Sequence, residues 1–160
     1  MKYRYLIVVL FIFYSCELNY ADFSSADTID KEKMLELVNQ SRTEGCNCGD
    51  EYMPPVNPLE WNSDLEDVAL AHSIDMNLNN FFSHTNLKGE GPWDRVNFLD
   101  SDILLRGENI ALGYLTEEDV IRGWLNSPGH CRNLMSQSHT IMGIGKSGKY
   151  WTQLFGRKTE

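Results

Sequence analysis

Residues 127–130 of this chain are Ser-Pro-Gly-His, and two other short stretches share their character. One is Phe-Phe-Ser-His at residues 81–84, and the other is Gly-Glu-Asn-Ile-Ala at residues 107–111. Each stretch places one imidazole or one carboxylate inside a local signal for a turn, a strand or a helix start. Two imidazoles and a carboxylate that are distant in sequence can meet in one cleft. There they could bind a divalent metal, transfer a proton or form a hydrogen-bonded cluster.

The three candidate residues differ in their local setting. His84 follows two aromatic residues that we expect to enter the core, and Glu108 lies near the start of a predicted strand. A buried carboxylate is costly unless it is paired, so we expect Glu108 beside an imidazolium or a metal ion. His130 follows Ser127, a good N-cap, and Pro128, a favoured first helical residue. The helix dipole there favours a neutral imidazole, which is the form that binds metal.

The N-terminus predicts export. Lys2 and Arg4 precede an apolar run at residues 6–14, which is too short to cross a bilayer. Cys16 follows directly after Ser15, so cleavage before Cys16 and lipid on its thiol would make a bacterial lipoprotein. An ordinary secretory peptide is the alternative, because the residues just before the cysteine are larger than is usual for lipoproteins.

Composition divides the chain into three parts and excludes one class of partner. We predict a signal peptide at residues 1–15, a flexible acidic tether at residues 16–30 and one domain at residues 31–160. The net charge is -9, and removing the signal peptide takes away two positive charges and no negative ones. Such a surface repels phosphate backbones, which excludes nucleic acid as a partner.

Apolar spacing predicts an α+β fold. Helical periodicity, capping signals and strand alternation place the elements as follows: helices around residues 34–41, 65–76 and 120–125, a helical turn at 93–96, strands at 108–112, 140–146 and 149–155, and a loop at 46–57. We assign the helix caps to Thr28 or Asp30, to a Ser63–Glu66 capping box and to Thr116. His72 lies on an apolar helical stripe and is predicted to be a core residue.

Three cysteines remain besides Cys16. Cys46, Cys48 and Cys131 could be metal ligands, but two cysteines one residue apart chelate a single zinc poorly. Export favours a disulfide, and the odd count leaves one free thiol. The sequence leaves open whether Cys46 or Cys48 is the partner of Cys131.

Seven strings in fixed order resemble the bacterial branch of the CAP superfamily (cysteine-rich secretory proteins, antigen 5 and pathogenesis-related 1 proteins). They begin at Asn39, Leu59, Ala71, Phe81, Gly107, Gly123 and Tyr150, and the resemblance covers about residues 33–157. It implies an α-β-α sandwich with a small antiparallel sheet between helical layers and a cleft. It also favours a disulfide that includes Cys131.

The resemblance transfers only part of the family's cleft. His84 matches the first histidine of that cleft and Glu108 the first glutamate. The second glutamate is replaced by Ser127 and the second histidine by Tyr150, so both are expected on the cleft wall. His130 matches a histidine that bacterial members carry. Since one carboxylate is missing, no cofactor is assigned, and a divalent metal such as zinc would bind the set only weakly.

Three functional hypotheses follow. The first, which we favour, is a lipid-anchored module at the bacterial cell surface that binds an extracellular lipid, sterol or host protein and is not an enzyme. The second is a metal-assisted hydrolase or protease that uses His84, Glu108 and His130. In the third, the cluster is purely structural.

Overall fold

A computed structural model describes residues 28–99 and 102–159. The helices are α1 (Lys31–Glu44), α2 (Ser63–Asn79), α3 (Pro92–Asn97), α4 (Glu117–Asn126) and α5 (Pro128–Leu134). The strands are β1 (Cys46–Cys48), β2 (Glu51–Met53), β3 (Glu60–Trp61), β4 (Ile103–Leu112), β5 (Ile141–Ser147) and β6 (Tyr150–Lys158). The predicted signal peptide, Cys16 and most of the predicted tether lie outside the described residues.

The central sheet has four strands in the order β3-β5-β6-β4. Strand β6 pairs antiparallel with both β5 and β4, and the short β3 pairs parallel with β5. Helix α2 packs on one face through Leu65 and Ala69. Helices α1, α4 and α5 contribute Val38, Trp124 and Leu134 to a larger core on the other face. The α+β sandwich predicted from the sequence is confirmed, with one parallel contact added to the sheet.

Side-chain caps define where the longer helices begin. Asp30 caps α1 by accepting from the Lys33 amide, and Thr116 caps α4. The capping box predicted at Ser63 is wrong, because Asn62 accepts from the Leu65 amide one residue earlier. An asparagine and a serine are comparable N-caps, and the residue with the extended backbone takes the role.

The loop predicted at residues 46–57 is wrong over residues 46–53. There β1 and β2 form a hairpin in which Cys46 lies opposite Met53. Its turn residues, Gly49 and Asp50, were part of the loop signal, and three-residue strands are too short to show alternation. A disulfide between Cys48 and Cys131 ties the hairpin to α5 and leaves Cys46 free. The structure thereby selects one of the two pairings that the sequence left open.

A buried guanidinium holds the chain after α5. Arg42 is fully buried, and it donates to the carbonyl oxygens of Asn57, Leu134, Ser136 and His139. Burial lowers the pKa of Arg42 to about 10, which still leaves it charged at neutral pH. Four carbonyls take the place of the water that burial removes, as a buried charge requires.

None of the helices in the described part of the chain combines the length and apolar character needed to cross a bilayer.

Candidate functional site

Glu108 is the centre of the candidate site. It lies on the edge strand β4 opposite Leu154, whose side chain packs in the core beneath α2, so the carboxylate points to the α2 face. Only 2% of its side chain is exposed. Its Oε1 is 2.7 Å from His84 Nδ1, and its Oε2 accepts from the Arg95 guanidinium. Both carboxylate oxygens are therefore occupied by protein donors.

His84 is positioned by the end of α2. The helix ends with Asn80 in the left-handed conformation, and the chain then turns back so that His72 Nε2 lies 2.9 Å from the Ser83 carbonyl. His72 is buried, so the prediction that it is a core residue is confirmed. Because Nδ1 of His84 faces a carboxylate, Nδ1 carries the proton that the two groups share in their hydrogen bond. The other ring nitrogen, Nε2, belongs to a side chain that is 53% exposed.

Arg95 is the member of the site that sequence reasoning missed. It lies on α3, where its Nη1 donates to the His84 and Glu90 carbonyls at 2.9 and 3.1 Å. The same guanidinium therefore neutralises Glu108 and fixes the backbone that carries His84. The available signal was the short helix predicted at residues 93–96, which contains this arginine.

His130 approaches the site from α5. Its carbonyl accepts from Asn109 Nδ2 at 3.3 Å, and burial lowers the pKa of its imidazole, with the charge of His84 lowering it further. Asn109 directly follows Glu108 on β4, so the hydrogen bond to the His130 carbonyl places the backbone of His130 beside the strand that carries Glu108. Asn133, on the same helix as His130, donates to the Glu108 carbonyl at 3.1 Å and thereby covers the edge of β4.

The last two predicted residues are Ser127 and Tyr150. Ser127 is the N-cap residue between α4 and α5, with its amide bonded to the Trp124 carbonyl. Tyr150 begins β6 opposite Leu112. It is four residues from Leu154 along that strand, which corresponds to about 13 Å.

The arrangement does not fit a zinc ion. Within the ranges described, the one group of three metal-type ligands whose atoms lie within 4.8 Å of each other is Cys46, Cys48 and Cys131, not the histidine–glutamate set. Two of those sulfurs are joined in the disulfide. At Glu108, the Arg95 guanidinium already supplies the positive charge that a metal would bring. We therefore derive no step through a metal.

Comparison with known proteins identifies the fold family. The family model described as CAP, the cysteine-rich secretory protein family, matches residues 35–155. The chain belongs to the CAP family. This match covers every member of the site, and the resemblance inferred from sequence is confirmed.

Several bacterial proteins share this domain. The chain is 41% identical over 128 residues to the uncharacterized membrane protein YlbC of Bacillus subtilis, covering 80% of the chain and 34% of YlbC. An extracellular protein of Bacillus anthracis with an SCP domain superposes with a TM-score of 0.66 at 34% identity, over 79% of this chain and 40% of that one. An outer surface protein of Borrelia burgdorferi superposes with a TM-score of 0.64 at 26% identity, and the match covers 84% of this chain and 99% of that one. The chain thus spans about a third of YlbC and nearly all of the Borrelia protein.

Proposed function

We propose that this chain is an exported, lipid-anchored CAP protein that acts as a binding module at the bacterial surface. The proposed ligand is an extracellular protein. The observation that carries the proposal is the pairing of Glu108 with both Arg95 and His84. The carboxylate is only 2% exposed and each of its oxygens faces a protein donor, so bulk water has little access to it, and the site is better suited to hold a surface than to activate water at Glu108.

Exposed apolar side chains around His84 favour a protein ligand. Phe82 lies two residues before His84, and the prediction that it enters the core is wrong, because it is exposed. Trp93 and Phe98 lie at either end of α3, whose Arg95 binds the His84 backbone. These three side chains belong to residues that are 49%, 53% and 74% exposed, in that order. Aromatic residues are enriched at protein interfaces relative to the rest of the protein surface.

Cavity size disfavours a buried lipid or sterol at this site. One cavity adjoins the site; it has a volume of about 230 Å³ and is lined by His72, Arg95 and Phe98, among others. Small-molecule pockets usually measure about 300–1,000 Å³ and enclose most of the ligand. This cavity is smaller than that range, so a ligand at His84 would instead lie on the exposed surface of the protein.

The anchor part of the proposal rests on the N-terminal sequence. An apolar run that is followed by Ser15 and Cys16 is typical of a lipoprotein signal, and the Borrelia relative is described as an outer surface protein. We expect Cys16→Ser to move the full chain from the detergent phase to the aqueous phase in phase partitioning. Cys46→Ser is the matched control and should stay with the detergent. Unchanged partitioning of Cys16→Ser would refute the anchor.

Binding is tested with the mature chain and purified extracellular matrix proteins, with phosphatidylcholine vesicles as the lipid arm. We expect His84→Ala and Trp93→Ala to weaken binding to a matrix protein at least about tenfold, while Lys149→Ala, at an exposed hairpin residue, does not. Equal binding by all variants would favour a purely structural cluster. Binding only to vesicles would replace the protein ligand with a lipid. Cleavage of the bound protein that Glu108→Gln abolishes would favour a hydrolase.

A further inference from the structure

The three cysteines form a compact cluster outside the candidate site. Cys46 and Cys48 flank a single residue on β1, so their side chains point to the same side of the strand, towards α5. The free Sγ of Cys46 lies 3.7 Å from the Sγ of Cys131, which is already bonded to Cys48. All three sulfurs lie within 4.8 Å of one another.

We propose that this cluster is a thiol–disulfide exchange site in which Cys46 displaces Cys48 from Cys131. The Cys46 thiol loses its proton and attacks the Cys131 sulfur. The Cys46–Cys131 bond forms while the Cys48–Cys131 bond breaks, and Cys48 leaves as a thiolate that takes up a proton. One disulfide and one thiol are present before and after, so the exchange needs no oxidant or reductant.

The distances make this step local. A disulfide bond is about 2.0 Å long, so the sulfur of Cys46 has less than about 2 Å to travel. Attack requires the three sulfurs to come into line, which a change of side-chain rotamer can provide. The hairpin is already held against α5 by the existing bond, so the strand need not leave its place.

Burial limits the rate of the exchange. It raises the pKa of the Cys46 thiol, so little thiolate is present at neutral pH. Strand β2 and helix α5 pack against the strand that carries Cys46. Their charged side chains, Glu51 and Arg132, lie 3.8 Å from each other, so their opposite effects on the thiol pKa offset one another. We therefore expect the exchange to be slow at neutral pH. Below the thiol pKa, its rate should rise about tenfold for each unit by which the pH is raised.

The cysteine that is bonded to Cys131 determines which of the other two cysteines has the free thiol. With Cys48 bonded, the free thiol is the half-buried Cys46. With Cys46 bonded, the free thiol is Cys48, which is 1% exposed in the present structure. Exchange would therefore alternate an accessible thiol with a hidden one, directly beside the helix that carries His130.

The test follows the position of the free thiol over time in the oxidised mature chain. Samples held at about pH 8.5 are quenched in acid, unfolded in denaturant and alkylated there with vinylpyridine, and fragment ions separate label on Cys46 from label on Cys48. We expect the share of chains with label on Cys48 to rise to a plateau of at least a few per cent. At about pH 7 this rise should be at least about tenfold slower than at about pH 8.5.

Two variants make the result decisive. In Cys46→Ser no thiol is available for attack, so Cys48 should remain unlabelled. In Cys48→Ser we expect air oxidation of the folded chain to join Cys46 to Cys131. The proposal would be overturned if the label on Cys48 in the wild type never exceeded the label on Cys48 in Cys46→Ser. So would two persistent free thiols in folded Cys48→Ser.

Discussion

At the scale of single residues, the candidate site is an ion pair buried at the edge of a sheet. Glu108 is almost completely removed from water, and the side chain of Arg95 is 9% exposed. Removing one member of a buried pair leaves an uncompensated charge, which typically costs about 3–5 kcal/mol. The pair thus provides its own test, because its partners can be removed singly.

We expect Arg95→Met to lower the free energy of unfolding by about 3 kcal/mol, since Glu108 then loses its strongest partner inside the protein. The matched control is Arg122→Met, which removes an arginine from an exposed pair with Asp119 and should cost at most about 0.5 kcal/mol. Urea unfolding of the three proteins measures both values. Equal stabilities of the two variants would contradict a structural role for the Arg95–Glu108 pair.

The residues of the site could be predicted to different degrees. His84 and Glu108 were found because each lies in a short motif with a recognisable turn or strand signal. Arg95 was missed because nothing in its local sequence differs from that of a surface arginine. Its role depends on a contact with a carboxylate on another element, which local spacing cannot reveal.

At the scale of elements, the longer helices followed from the sequence because caps and apolar stripes are local signals. The start of β4 was placed too late, at Glu108 rather than Ile103. The reason lies in a register shift between Leu105 and Gly107, which interrupts the alternation. Beyond the shift, residues 107–111 are all buried, so no simple alternation runs through the whole strand.

The contact between α2 and β5 depends on two glycines that local patterns did not single out. A Cβ on Gly145 would overlap the backbone of Leu70, and one on Gly143 would overlap the backbone of Glu66. Ser73 uses the same close approach to donate to the Gly145 carbonyl at 3.0 Å. The sheet and α2 therefore touch backbone to backbone.

We expect Gly145→Ala to destabilise the protein by at least about 2 kcal/mol, because neither backbone can yield without loss of packing. Gly129→Ala is the control: nothing lies within 4 Å of its new Cβ, and alanine is favoured over glycine in a helix by up to about 1 kcal/mol. Thermal unfolding should shift in opposite directions for the two variants. A Gly145→Ala protein as stable as wild type would show that the helix and sheet are less tightly packed.

At the scale of the whole molecule, two properties oppose each other as the pH falls. The chain carries a net charge of -9, so protonation of its carboxylates relieves repulsion. Its core, however, contains His72 and His139, which burial holds neutral. Burial, with smaller contributions from Arg42 and Arg106, lowers the pKa of His139 to about 4.

His139 should therefore make the protein labile to acid. In the unfolded chain a histidine titrates near pH 6.5, so between that value and about 4 the unfolded state binds more protons than the folded state. The stabilising contribution is complete above about pH 6.5 and is lost as the pH falls through this window.

We expect His139→Phe, which keeps an aromatic ring stacked on Phe155 (centroid distance 4.8 Å in the wild type), to remove this loss of stability in acid. Urea unfolding at about pH 7.5 gives the effect of the substitution itself, because histidine is largely neutral there in both states. Relative to that baseline, the variant should retain about 3 kcal/mol more stability than wild type at about pH 4. Charge repulsion acts equally on both proteins, so parallel pH curves would mean that His139 is protonated in the folded state.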